Sequence, residues 1–168
     1  MKALVSGILL LGLTSLGFAQ ENPNGIQTVE LEAITLSANA DYIKTVNDER
    51  TPEVVKALHL KAASFDPTSA KDFDPKEKNP YEAVFKASNG SLIAAYGPSG
   101  AILASQAKFS NVTLPVEVRE KAFADKDGWK MKGNQYMSTY VDNKLVKQRY
   151  KIQFENGRRS EKMILDLL

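Results

Sequence analysis

The feature that most constrains the fold of this chain is a plan that occurs twice. A proline-started amphipathic helix precedes several short strands in residues 52–109, and the same order recurs in residues 115–168. Each half is too small to bury a sizeable core alone, and exposed strand edges favour joining the halves. We predict an α+β fold: two tandem helix-plus-antiparallel-meander units, about residues 51–109 and 114–168, forming one sheet with helices on one face. Residues 28–168 then form a single domain.

Two segments carry the signals of a helix start. Thr51, Pro52 and Glu53 place a hydroxyl, a proline and an acid where a helix begins. The buried stripe predicted for this helix consists of Val54, Leu58 and Ala62. The second helix follows Leu114-Pro115, presents Val118, Ala122 and Phe123 to the core, and is predicted to end at Asp127-Gly128.

Alternation of apolar and polar residues marks the strands. The turns between them are predicted at Asn89-Gly90, at residues 97–100, at Asp142-Asn143 and at residues 155–157. In residues 144–154, one face is predicted to carry Val146, Tyr150, Ile152 and Phe154, and the other Lys147, Arg149 and Lys151. Because antiparallel sheets can leave one face in solvent, the basic set is predicted to be exposed.

The amino-terminal segment has the pattern of a secretory signal peptide. Met1-Lys2 is followed by an apolar run and by Gly17-Phe18-Ala19, which predicts cleavage after residue 19. Residues 20–27 are predicted to be a flexible lead, and Val29 to Ala33 a strand. The chain has no cysteine, which favours a bacterial periplasm or cell exterior over a disulfide-rich eukaryotic secreted protein. No membrane span is expected in the mature chain.

Composition excludes several kinds of chemistry. His59 is the only histidine, and we interpret it as a partly exposed helix residue. This interpretation leaves a Ser-His-Asp set without its base. With one histidine and no cysteine, catalytic sets that need two histidines and the usual zinc sites are excluded. No phosphate-binding glycine motif occurs. We therefore expect no catalytic residues and no cofactor.

An acidic loop and a basic hairpin are the remaining candidate sites. Asp72, Asp74 and Glu77 are weak candidates for calcium ligands, but the loop has no glycine, so a solvated acidic loop is the alternative. The candidate binding residues are Lys147, Arg149, Lys151 and Arg158, with Tyr136 and Tyr140 on the neighbouring strand. The alternative for this face is a solvated strand whose lysines prevent edge-to-edge aggregation. Trp129 is predicted to pack between helix and sheet.

The stretch SLIAAYGPSGAILASQAKFSNVTLP, residues 91–115, resembles the central motif of the PepSY-like, beta-lactamase-inhibitor-like domains exported by Gram-negative bacteria. The resemblance extends over about residues 29–168. It implies tandem helix-plus-sheet units with a concave protein-binding sheet face and no shared catalytic residues. The chain departs from the family pattern in residues 65–79, which are long and proline-rich.

These observations predict an exported periplasmic or secreted, non-catalytic, binding or inhibitor-like protein that acts through its sheet face. The formal charge is −3 for residues 20–113 and +4 for residues 114–168, which favours a partner protein with an acidic surface and is too weak to indicate nucleic acid. The alternatives are an envelope enzyme that uses the acidic-loop carboxylates and a structural or envelope-stress protein.

Overall fold

The computed structural model describes residues 38–168. The predicted signal peptide, the flexible lead and the strand near Val29 lie outside the described residues. The helices are α1 (Ala40–Val46), α2 (Glu53–Ser64) and α3 (Val116–Phe123), with a 3-10 turn at Pro67–Ser69. The strands are β1 (Tyr81–Ala87), β2 (Gly90–Tyr96), β3 (Ile102–Ser110), β4 (Lys130–Val141), β5 (Lys144–Asn156) and β6 (Arg159–Asp166). No helix in residues 38–168 is long and apolar enough to cross a membrane.

One antiparallel sheet of six strands runs in the order β1-β2-β3-β4-β5-β6, so each strand pairs with the strand before it in the chain. The α+β prediction is therefore confirmed. The helices pack on one face of this sheet: Tyr42 of α1 contacts Tyr140, Phe65 after α2 contacts Tyr96, and Phe123 of α3 contacts Phe154. The opposite face carries none of the described helices.

The long helix α2 begins where the sequence predicted, with Pro52 as its N-cap residue. Its buried stripe consists of Val55, Leu58, His59, Ala62 and Ala63. The prediction of Val54 was wrong by one position, because residues 55, 58, 59, 62 and 63 fall on one side of a 3.6-residue helix. The prediction of a partly exposed His59 was also wrong: this residue is 0% exposed.

The shorter helix α3 also starts as predicted, after Pro115, and buries Val118 and Ala122. It ends at Phe123, four residues before the predicted end at Asp127. Trp129 is partly buried against the core, as expected. Lys126 lies 5.3 Å above the Trp129 ring.

The core is rich in tyrosine, and each buried hydroxyl finds a partner, as burial of a polar group requires. Tyr96 donates to the carbonyl of Ala62 and Tyr150 to the carbonyl of Arg50, each at 2.8 Å. Phe109, Phe154 and Ile152 belong to the same buried core. The tyrosines therefore join the helices to the sheet through both apolar area and hydrogen bonds.

Turn positions differ in detail from the prediction. The β1–β2 loop consists of Ser88 and Asn89, because Ala87 pairs with Gly90. Gly90 is a strand residue: a Cβ there would lie 2.6 Å from the Phe109 ring. The β4–β5 turn is at Asp142-Asn143 as predicted, and both residues have positive φ (49° and 62°).

A bulge in β5 overturns one face assignment. Thr139 pairs with Lys147 and Tyr140 with Leu145, so Val146 is an extra residue with no partner opposite it. Val146 is 56% exposed, and Leu145, which pairs with Tyr140, packs against the core in its place. Tyr150, Ile152 and Phe154 are buried as predicted.

Candidate functional site

The face of the sheet opposite the helices is the candidate site. It is built from the alternate residues of all six strands, whose neighbours in each strand point into the core. We call it the open face. Apart from the residues next to the turns and bulges (Ser110, Gly133, Lys144, Glu155 and Ser160), its residues are Glu82, Val84 and Lys86; Ser91, Ile93 and Ala95; Ala104, Gln106 and Lys108; Gln135, Met137, Thr139 and Val141; Lys147, Arg149, Lys151 and Gln153; Lys162, Ile164 and Asp166.

Five lysines give the open face its charge. They are Lys86, Lys108, Lys147, Lys151 and Lys162. In residues 38–168 none of them has a carboxylate within ion-pair distance. The face also carries Arg149, which is paired with Asp166 at 2.7 Å. The unpaired lysines leave a net positive surface that an acidic group could neutralise.

The lysines are regularly spaced because strand pairing fixes them. One row across the sheet contains Lys86, Ser91, Lys108, Met137 and Arg149, one residue per strand. Its cations lie on alternate strands, which are about 10 Å apart, while Lys147 and Lys151 flank Arg149 along β5 at about 7 Å steps. These spacings are close to the screening length of ~8 Å at physiological salt, so the charges reinforce one another.

The predicted site residues are only partly brought together. Lys147, Arg149 and Lys151 share the open face, and Arg158 lies exposed in the β5–β6 turn at one end of the sheet.

The inclusion of the two tyrosines in the binding set was wrong, because their side chains point to the helix side. Tyr136 is 0% and Tyr140 2% exposed. Tyr136 accepts a hydrogen bond from Gln148, and Tyr140 packs edge-on against Tyr42 with ring centres 4.9 Å apart.

Sequence reasoning missed Lys86, Lys108 and Lys162 as members of the same surface. The alternation in residues 81–87 exposes Lys86, but its neighbours depend on register. Lys86 pairs with Ser91, Ser91 with Lys108 and Lys108 with Met137. A continuous meander with the predicted two-residue turns would have given this register, and with it the position of these lysines on one face.

Two shallow depressions lie on the open face. The first, of about 550 Å³, contains Ser110, Asn111, Gln135, Lys151, Gln153 and Lys162. We call it the lysine–amide depression. The second, of about 310 Å³, contains Ile93, Ala95, Ala104, Thr139 and Val141. We call it the apolar depression.

The acidic loop forms a separate depression of about 460 Å³ beside β1 and β2. Asp72, Asp74 and Glu77 all line it and are all exposed. The Tyr81 hydroxyl donates to Asp72 at 3.4 Å, and Asp74 accepts from the backbone N–H of Lys76 at 2.9 Å. Across the described part of the chain, no group of three or more histidine, cysteine or acidic side chains is arranged to hold a metal ion.

A buried polar cluster joins α1, α2 and β3. The Tyr42 hydroxyl lies 2.5 Å from Nδ1 of His59 and donates to Oγ of Ser105 at 3.0 Å. In that arrangement Nδ1 of a neutral imidazole donates to Tyr42. Nε2 has no partner among the residues described. Burial lowers the pKa of His59 from 6.5 to about 4. These side chains are too deeply buried to meet a solute, so the cluster is structural.

A second polar cluster ties the α1–α2 loop to β5. Gln148 Nε2 donates to Asp48 and to Thr51, each at 3.1 Å, and Arg50 pairs with Asp48 at 2.6 Å. Burial alone would raise the pKa of Asp48, but hydrogen bonds from Arg50, Gln148 and Thr51 outweigh it and hold the pKa below its usual value. Arg50 also donates to the carbonyl of Leu167, which fixes the end of β6.

Comparison of the chain with protein-family models, with curated proteins and with solved structures finds no match.

Proposed function

We propose that this chain is an exported, non-catalytic binding protein whose open face contacts a partner protein with an acidic surface. The observation that carries the proposal is the set of five lysines on that face that have no carboxylate partner in residues 38–168. With Arg149 the face carries six cations against the two carboxylates Glu82 and Asp166, which is a larger excess of positive charge than +1, the formal charge of residues 20–168. Acidic side chains of a partner would neutralise them.

The dimensions of the face suit a protein rather than a small molecule. Six strands and five rows of open-face residues cover on the order of 600 Å² of sheet. Each partner in a standard protein interface contributes about 800 Å². The residues of the open face include no aromatic side chain, so the face lacks the stacking groups that bind bases and that would favour nucleic acid.

The finer architectural and cellular assignments belong to the same proposal. The repeated order of helix and strands, α2 with β1–β3 and α3 with β4–β6, supports tandem units of the PepSY-like, beta-lactamase-inhibitor-like kind. The signal-peptide pattern in residues 1–19 supports export to the periplasm or the cell exterior. In that setting the function would be inhibition or capture of an acidic envelope or secreted protein.

The test compares two variants with the same change in charge. K108Q/K147Q/K151Q removes three lysines of the open face, and K61Q/K71Q/K76Q removes three exposed lysines from α2 and the acidic loop. Each protein is used as bait in a periplasmic extract, captured proteins are identified, and the affinity of each purified partner is measured at low and high salt.

An acidic partner should bind the open-face variant about tenfold more weakly than the wild type at low salt, since each exposed charge pair is worth ~0.2–1 kcal/mol. The control variant should bind like the wild type. Equal losses in both variants, or no loss in either, would contradict a role for the open face.

A further inference from the structure

The two depressions of the open face differ in chemistry, and the difference indicates how an acidic partner would lie. This inference rests on the proposed function and specifies the ligand of the same face. The lysine–amide depression lies where β4, β5 and β6 meet, and the apolar depression lies over β2, β3 and β4 near their other ends.

The lysine–amide depression presents hydrogen-bond donors beside the exposed side chain of Ile164. Lys151 and Lys162 lie on adjacent strands in diagonal positions, because Gln153 pairs with Lys162 and Lys151 with Ile164. Gln135 pairs with Lys151 on the other side. The ammonium groups of Lys151 and Lys162 and the amide of Gln135 line this depression from three adjacent strands. Both kinds of group can donate to a carboxylate, and charge-assisted bonds of this type are stronger than neutral ones.

The apolar depression presents no cation. Ile93 and Val141 are both exposed, and Ala95 and Ala104 lie between them with small side chains. A large exposed aliphatic residue on each side of two alanines leaves space for one apolar side chain. Met137 lies between the two depressions on β4, beside Lys108, and offers an adaptable apolar contact.

We propose that the partner binds through a single acidic segment that lies diagonally across the open face. Its carboxylates occupy the lysine–amide depression and one of its apolar side chains occupies the apolar depression. Along β4 the two sites are separated by about five residues, and across the sheet by about two strands, which gives a distance of about 20 Å. An extended segment spans this distance with about six residues.

Charge and shape favour a peptide over an anionic lipid surface. Glu82 lies at the edge of the apolar depression, where it would repel lipid headgroups surrounding an inserted chain. Val84 pairs with Ile93 and extends the apolar depression by one residue, whereas Ile164 lies in the lysine–amide depression on the other side of the sheet, so the exposed apolar side chains form no continuous surface for insertion. A second copy of this chain is disfavoured as well, since two basic open faces would repel each other.

Three fluorescent peptides test the proposal. The first has three glutamates, a six-residue Gly-Ser spacer and three leucines. The second replaces the glutamates by glutamines, and the third replaces the leucines by serines. The first peptide should bind about tenfold tighter than the third, because it buries an additional apolar side chain. Its affinity should exceed that of the second peptide by a similar factor, and this factor should fall as the salt concentration is raised.

Variants of the full chain assign each end of the peptide. K151Q/K162Q should weaken the first and third peptides about fivefold to tenfold and leave the second unchanged. I93T/V141T should weaken the first and second peptides and leave the third unchanged. K61Q/K71Q is the charge-matched control and should bind all three like the wild type.

The outcomes separate this inference from the function on which it rests. If K108Q/K147Q/K151Q weakens an acidic partner but the first peptide binds no better than the third, the segment model is wrong and the open face remains the binding surface. If no glutamate peptide binds the protein at low salt, the segment model is wrong, and the comparison of K108Q/K147Q/K151Q with its control decides separately whether the open face binds an acidic partner. A lipid surface is the remaining outcome. If the wild type sediments with phosphatidylglycerol vesicles, K151Q/K162Q does not, and no peptide binds, then the open face binds lipid headgroups and the inference is wrong.

Discussion

The Tyr42 hydroxyl and Nδ1 of His59 lie 2.5 Å apart in a fully buried contact between α1 and α2. The burial of this contact requires a neutral imidazole, because a protonated ring would be an uncompensated buried charge. The interior of the protein is therefore coupled to pH through one residue, the only histidine in the chain.

The first prediction is a loss of stability in mild acid. The pKa of His59 is lowered by burial from 6.5 to about 4, so the unfolded chain binds a proton at a pH where the folded chain does not. Stability is fully present above pH 6.5 and decreases as the pH falls towards about 4, by about 3 kcal/mol in total. The measurement is the free energy of urea unfolding at several pH values. His59→Gln should have a flatter profile between these limits, and a slope equal to that of the wild type would refute the assignment.

Gln148 should contribute to stability through its amide. Gln148→Leu keeps the bulk but removes the donor shared by Asp48 and Thr51, and should cost about 1–3 kcal/mol. Gln106→Leu, at an exposed position on the open face, should change stability by less than about 0.5 kcal/mol. Thermal unfolding of both variants makes the comparison. Equal effects would mean that the buried amide is dispensable.

Two glycines should respond to alanine for different reasons. Gly90→Ala places a methyl group against the Phe109 ring and the Lys108 carbonyl, and should cost more than about 2 kcal/mol because a packed core does not yield readily. Gly157 has φ of +59° with nothing near its missing Cβ, so alanine there should cost only about 1 kcal/mol of backbone strain. A reversed order in chemical denaturation would contradict the register of β2 and β3.

The bulge at Val146 can be checked by paired substitutions. Val146→Ala should be nearly neutral, within about 0.5 kcal/mol, because the side chain is exposed. Ile152→Ala should cost about 2–5 kcal/mol because it leaves a cavity. Thermal unfolding followed by circular dichroism would compare the stability of the two variants. A large loss of stability in Val146→Ala would mean that this side chain lies on the core face.

The sheet should unfold as one unit. The β3–β4 pairing connects the two halves over seven residue pairs, from Ala104 to Ser110, and separating them would expose a strand edge. We expect one thermal transition for the full chain and poor folding for a fragment that ends near Asn111. Two resolved calorimetric transitions would contradict this.

The sequence predicted the strands better than their faces. In β5 the alternation places Tyr150, Ile152 and Phe154 in the core, but a pattern of period two cannot anticipate the extra residue at Val146. In β4 both faces are mixed, with Tyr136, Ser138 and Tyr140 on one side and Met137 and Thr139 on the other. Alternation there does not indicate which face is buried, which is why the prediction of Tyr136 and Tyr140 as binding residues was wrong.

Sequence patterns also failed to predict a short helix and the burial of a polar residue. The helix α1 has only seven residues, and its position depends on tertiary contacts such as the hydrogen bonds of Asn39 to the backbone of Ala63, Gly100 and Ile102. A helix this short has little intrinsic stability. The burial of His59 was missed because its pairing with Tyr42 joins two helices, and no local pattern reports such a contact.

The order of the strands in the sheet has a consequence for folding kinetics. Each strand pairs only with its neighbour in the chain, so the sheet can form progressively from hairpin to hairpin, with a small loop-closure cost at each step. The hydrogen bond between Asp48 and Gln148 spans 100 positions and requires both ends of the domain. We expect it to form late, so that fast strand pairing is followed by a slower step that fixes the α1–α2 loop and the end of β6.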